Sequence, residues 1–127
     1  MRSLNKAQII GNLGRDPEMR SMANGDPVAN FVVATNDSWK DKDGNLHERV
    51  EWHKVVAFRQ LARVVTDHLS KGRTVYVEGQ IQTREWEDRD GNKRYTTEIK
   101  AQNIIFLDRR GDGTARPADQ DDEDVPF

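Results

Sequence analysis

Along the first 110 residues, apolar positions come in short alternating runs closed by Gly, Asn or Asp turn signals, the pattern of small β-barrels and sandwiches. Leu4 to Leu13 forms a first extended run, in which Gly11 and Gly14 predict a bulge or sharp bend. Asp16-Pro17 turns the chain, and Asn24-Gly25 supplies a hairpin signal before the β-rich run Val28 to Thr35. Asp43-Gly44 marks the tip of a long charged hairpin that returns through Val50 to Phe58.

In that returning strand, side chains two apart share a face. Val50, Trp52, Lys54, Val56 and Phe58 point one way, and Glu51, His53, Val55 and Ala57 the other. A face mixing Trp, Lys and Phe makes poor core and a good platform. Arg59 to Leu69 switches to helical period, with Leu61, Val64, Val65, His68 and Leu69 on one side and Gly72 placed as a C-terminal cap. Thr74 to Trp86 returns to strand, with Gly79 as a barrel bend. Asp90-Gly91 ends a second long hairpin, and Tyr95 to Leu107 completes the set. No internal repeat stands out. Three strands, one helix, two strands is the order of the OB-fold, an all-β five-stranded Greek-key barrel with its helix between strands 3 and 4. Pattern alone also admits another small β-sandwich.

The apolar periodicity stops at Gly111. Residues 1–110 are expected to form one folded domain, and residues 111–127 a short disordered linker and tip, because the latter bury too little surface to offset ordering entropy. Charge divides at the same place. Residues 111–127 hold six acids and one base, net −5; subtracting them from the chain's 22 acids and 20 bases leaves 16 and 19, net +3, for residues 1–110. The overall −2 therefore conceals a mildly basic front and a strongly acidic tail. An acidic run is usually a solubilising segment. That does not explain why Asp121-Asp122-Glu123-Asp124 gives way to Val125-Pro126-Phe127. An apolar ring beside a free carboxylate, preceded by acids, suits a shallow apolar pocket rimmed by Lys and Arg on another protein. The same tail has the charge to compete for a basic groove on its own barrel.

Composition narrows the chemistry. Cysteine is absent, and His47, His53 and His68 are six and fifteen residues apart, matching no metal-ligand spacing. No metal and no cofactor is expected. Lys71-Gly72-Arg73-Thr74 lacks the glycine loop of a phosphate site, and no Ser–His–Asp order or paired-acid motif stands out, so no enzyme activity is expected. No run is long and apolar enough for a membrane span, which points to a cytoplasmic protein with no membrane partner.

The three tryptophans, Trp39, Trp52 and Trp86, all stand in charged neighbourhoods. Any one of them fits a ring laid over the core from a hairpin base. Taken together, with Phe58 in register with Trp52, they favour an exposed set. Single-stranded nucleic acid presents unstacked bases to such a set, and nearby cations follow its phosphates. The candidates are Arg2, Lys6, Arg20, Lys42, Lys54, Lys71 and Arg84. Each of them singly also fits a solvated surface charge. Arg84 leads because alternation places it on the face of Trp86.

The segments NKAQIIGNLGRDPEMR, VANFVVATNDSW, EWHKVVAF, KGRTVYVEGQIQTREW, GNKRYTTEI and DDEDVPF together resemble the bacterial-type single-stranded DNA-binding protein family over nearly the whole chain. The resemblance implies an OB-fold protomer of a homotetramer, nucleoid-associated, that wraps single-stranded DNA in replication, recombination and repair. It puts the stacking aromatics at Trp39, Trp52, Phe58 and Trp86, a subunit-interface histidine at His53, and the motif that docks replication, recombination and repair proteins at Asp121 to Phe127. Three departures stand out: a very short linker from Gly111 to Gln120, Glu85 where a base is common, and Ser21 where an aromatic is common. An RNA-directed OB protein, a nuclease using scattered acids and a pure protein-interaction hub are the rival readings.

Overall fold

The computed structural model describes residues 2–108, and the acidic tip lies outside them. The elements run β1 (Ala7–Leu13), β2 (Glu18–Ser21), β3 (Pro27–Lys40), β4 (Leu46–Phe58), α1 (Arg59–His68), β5 (Thr74–Glu87) and β6 (Lys93–Phe106). The strands lie in the order β1-β5-β6-β4-β3, and β3 pairs back onto β1. That closes a five-stranded OB-fold barrel with α1 between its third and fourth strands, as the pattern predicted.

Closure happens at a short seam. Asn12 and Leu13 of β1 pair with Ala34 and Val33 of β3, and the Gly14 N–H donates to Val32 O at 3.0 Å. β2, absent from the expected five, takes the rest of that edge, pairing Glu18 with Asn30 through Ser21 with Pro27. All four of its residues are exposed, so no alternation of apolar and polar positions marks it in the sequence. At the seam, Gly11 lies so close to the Ala34 carbonyl that a Cβ there would overlap it. Gly79 likewise faces the Lys100 carbonyl, at a bulge where Glu78 pairs with Asn103 but Gly79 with Ala101, leaving Gln102 out of register.

Alternation builds the core inside this ring. Leu13, Ala29, Phe31, Val33, Val55, Ala57, Val75, Val77, Ile99 and Ala101 point inward, α1 adds Ala62 and Val65, and its C-cap residue adds Leu69. On the helix, His68 and most of its polar neighbours stay exposed; Leu61 is half-buried against the core, and Ala62, which the pattern did not single out, is fully buried. The helix ends at Leu69, whose N–H reaches Val65 O at 2.9 Å. Gly72 is therefore not the cap; its φ of +89° serves the following turn, where its N–H bonds Leu13 O.

The strands are longer than the barrel. The β3–β4 ladder continues from Thr35↔Glu51 out to Lys40↔Leu46, and β5–β6 continues to Glu87↔Lys93, with both faces in solvent. Their tips are the same loop twice, Asp41-Lys42-Asp43-Gly44-Asn45 and Asp88-Arg89-Asp90-Gly91-Asn92. This is a short internal repeat that the pattern reading missed. In each loop the first Asp accepts the N–H groups of the third and fifth residues at 2.8–2.9 Å, and Gly adopts a positive φ, 85° and 84°. Replacing Gly11 by Ala should break the seam: urea unfolding is expected to show a loss of more than about 2 kcal/mol, because the new methyl meets fixed backbone.

Candidate nucleic-acid interface

The projecting hairpins and the barrel wall between them carry the aromatic residues. Trp52 is 59% exposed, Trp39 45% and Trp86 42%. Each is held by a specific neighbour. Gly14 makes room for Trp52, since a Cβ on Gly14 would come within 2.6 Å of the edge of the indole. The Trp86 Nε1–H donates to Thr96 Oγ1 at 2.8 Å. Trp39 stacks on His47 with centroids 5.5 Å apart and planes 19° apart, and the Arg49 guanidinium carbon lies 5.8 Å from the ring. Phe58, half-buried at the end of β4, has the Lys100 ammonium 5.4 Å from its ring centroid.

Two clefts lie on the barrel wall. One, about 420 Å³, is lined by Trp52, His53, Lys54, Ile81 and Tyr95 among others. The second, about 350 Å³, gathers Arg15, Arg20, Lys54, Arg84 and Trp86 against the acids Glu18 and Glu98. Lys54, Thr96 and Glu98 line both, so apolar platform and cationic groove adjoin. His53 faces Thr35, with Nε2 and Oγ1 2.9 Å apart.

The remaining sequence candidates lie elsewhere. Lys6 forms an ion pair with Glu78 at 2.8 Å, and that hydrogen bond holds the ammonium above its ordinary pKa and the carboxyl below its own. Lys42 is exposed at a hairpin tip, Lys71 is exposed after the helix, and Arg2 is exposed ahead of β1; none of the three lines either cleft. Asp41 is held below the usual carboxylate range first by its hydrogen bond with His47, and Asp88 first by the Asn92 N–H. Both acids also grip the side chain across from the tryptophan: His47 sits 2.9 Å from Asp41 and Arg94 3.0 Å from Asp88. Among the described residues no group of three or more His, Cys, Asp or Glu is arranged to hold a metal ion, and no helix is long and apolar enough to cross a membrane.

Residues 4–107 match the single-strand binding protein family. The chain belongs to that family. It is 51% identical over 132 residues to single-stranded DNA-binding protein 1 of Xylella fastidiosa, covering 96% of this chain and 97% of that protein. The protein of the same name from Chlorobaculum tepidum is 48% identical over 113 residues, covering 88% and 70%. Among solved structures, a Plasmodium falciparum SSB in complex with ssDNA superposes with a TM-score of 0.78 at 35% identity, covering 85% of this chain and 98% of that one.

For a member of the single-strand binding protein family, sequence reasoning missed two groove residues, Arg15 and Glu98, and three that flank the aromatic rings, Lys100, His47 and Arg94. Arg15 was passed over because it lies in a turn, where alternation does not apply. Glu98 and Lys100 were legible in principle: Ile99 and Ala101 face the core, so their neighbours face out. His47 and Arg94 follow from the repeated spacing Trp-x-Asp-x-Asp-Gly-Asn-x-(His/Arg). Gly14→Ala should push the Trp52 ring aside at little cost in stability, because the obstructing atoms end a side chain that can rotate. The expected result is a shifted Trp emission spectrum, a near-normal unfolding midpoint, and weaker oligo-dT binding by roughly the 1–3 kcal/mol of one base stack.

Proposed function

We propose that this member of the single-strand binding protein family binds and protects single-stranded DNA, largely independently of sequence and without chemistry, during replication, recombination and repair. One observation carries the reading: exposed Trp86 lines a groove with Arg15, Arg20, Lys54 and Arg84, and exposed Trp52 lines the adjoining cleft. Every base has a π-face, so stacking on Trp39, Trp52, Phe58 and Trp86 favours no sequence, at about 1–3 kcal/mol per base. Cations along the groove displace counterions from the phosphates, which makes affinity fall as salt rises. Duplex DNA offers no free base faces to these rings. The names of the two bacterial relatives, and the DNA in the solved neighbour, support the same ligand.

The assembly we propose is a homotetramer. Its support is a cross-strand row on the outer face of β1, β5 and β6, where Ile10 pairs with Tyr76 and Tyr76 with Ile105; Ile10 and Ile105 are both exposed. Beside that row on the same face, Gln8 donates to the Tyr76 hydroxyl at 2.9 Å, which in turn donates to Glu78 at 3.0 Å. Lys6, in its ion pair with Glu78, belongs with this face in our reading rather than with the groove. His53 is the second interface candidate, on the resemblance. We further propose that Asp121 to Phe127 recruits replication, recombination and repair proteins, supported by the acidic-then-apolar order of those residues.

Titrating intrinsic Trp fluorescence with oligo-dT and with duplex tests the DNA reading. Strong quenching is expected with the single strand only, and it should weaken as salt is raised. An equal response to duplex, or none to dT, overturns the assignment. For the tip, deleting Phe127 should leave oligo-dT affinity within about twofold, under the ~0.5 kcal/mol typical of a remote surface change. The same deletion should abolish pull-down of partner proteins from a lysate, and undiminished recovery would refute the docking role.

A further inference from the structure

Glu98 is the one charged residue buried among the described residues, at 5% exposure, and it lies in the cationic groove rather than in the core. Alternation turns it outward between Thr97 and the core residue Ile99; its burial comes from the side chains that close over it. The Arg84 Nε–H donates to both of its oxygens, at 3.1 and 3.3 Å, and Gln82 Nε2 donates to Oε2 at 2.9 Å. Arg84 itself keeps 52% of its side chain exposed while the Glu98 side chain keeps 4%. One edge of the guanidinium thus faces the carboxylate and the rest faces the solvent side of the groove, beside Trp86.

Stability alone does not explain this acid. Burying a carboxylate costs several kcal/mol, and even a well-made ion pair does little more than offset that, so an apolar pair would serve the fold as well. Its place among Arg15, Arg20, Lys54 and Arg84 instead gives it two effects on an incoming phosphate. It fixes the guanidinium plane in advance, which removes the ordering cost of a long side chain. It also neutralises part of the charge the phosphate would meet.

We infer that Glu98 is a positioning residue for single-stranded DNA: it orients Arg84 beside Trp86 and acts as an internal countercharge that the phosphate backbone must share. The groove is therefore oriented for binding yet held below its full attraction, which favours release. This inference rests on the single-stranded DNA reading above.

The test separates orientation from charge. Glu98→Gln keeps an acceptor for Arg84 and removes the negative charge. Oligo-dT should bind it more tightly at low salt, with the plot of log affinity against log salt steeper by about 0.7, the increment for one added phosphate contact on a single strand. Glu98→Ala removes both effects, so its plot should be equally steep but its affinity lower than that of the Gln variant. In Arg84→Ala/Glu98→Gln, the extra slope should vanish. If Glu98→Ala does not fold, the Gln variant and the double variant still decide the matter. An unchanged slope in Glu98→Gln, or an extra slope that survives loss of Arg84, overturns the inference while wild-type binding leaves the DNA reading intact. No binding of oligo-dT by the wild type would overturn that reading itself.

Discussion

A five-stranded sheet has two edges, and here both are consumed where β1 turns from β5 to meet β3. Only Asn12 and Leu13 make that second pairing, helped by Gly14, and the approach is tolerable because Gly11 brings no side chain against the Ala34 carbonyl. β2 covers the part of the β3 edge that β1 does not reach, so that edge is not left open to another strand. With the ring closed, Phe31, Val33, Val55, Val75 and Val77 are fully enclosed. The strands of 13 and 14 residues then run on past the enclosed volume, and whatever they carry there faces water on both sides.

That overhang explains why the aromatic residues are available at all. Trp39 and Trp86 occupy matching positions in two hairpins that share one loop design. In each, the leading Asp uses one oxygen to fold the turn and the other to hold the side chain across from the tryptophan. The result is a ring flanked by a held imidazole in one hairpin and a held guanidinium in the other. Trp52 is held differently, by the space Gly14 leaves it. In the proposed function, rings restrained before binding lose less conformational freedom when a base stacks on them.

The groove beside Trp86 is a compromise rather than a simple positive strip. Four cations converge there, and two acids, Glu18 and Glu98, sit among them. A protein that binds single-stranded DNA reversibly gains from attraction strong enough to bind and weak enough to let go. Acids inside the groove adjust that balance locally.

Much of this was legible in the chain itself. Period-two alternation, Gly-containing turn signals and one helical stretch determined five barrel strands, the place of the helix and, on the strand from Val50 to Phe58, the face that carries Val55 and Ala57, because burial on a pleated strand repeats every second residue. Composition determined that the front is basic and the tail acidic. The tertiary structure alone decided what pairing decides. β2 is a strand only because β3 offers it hydrogen bonds, and its exposed residues carry no signal of their own. Lys6 and Arg84 look alike as isolated bases, yet one meets Glu78 on the β1–β5 face and the other meets Glu98 in the groove. Exposure of the tryptophans, too, was a matter of where the barrel stops, and that is set by closure at a seam whose partners, Asn12 with Ala34 and Leu13 with Val33, are far apart in sequence. Local pattern encodes which way a side chain points; only the closed sheet determines whether core, partner or solvent lies in that direction.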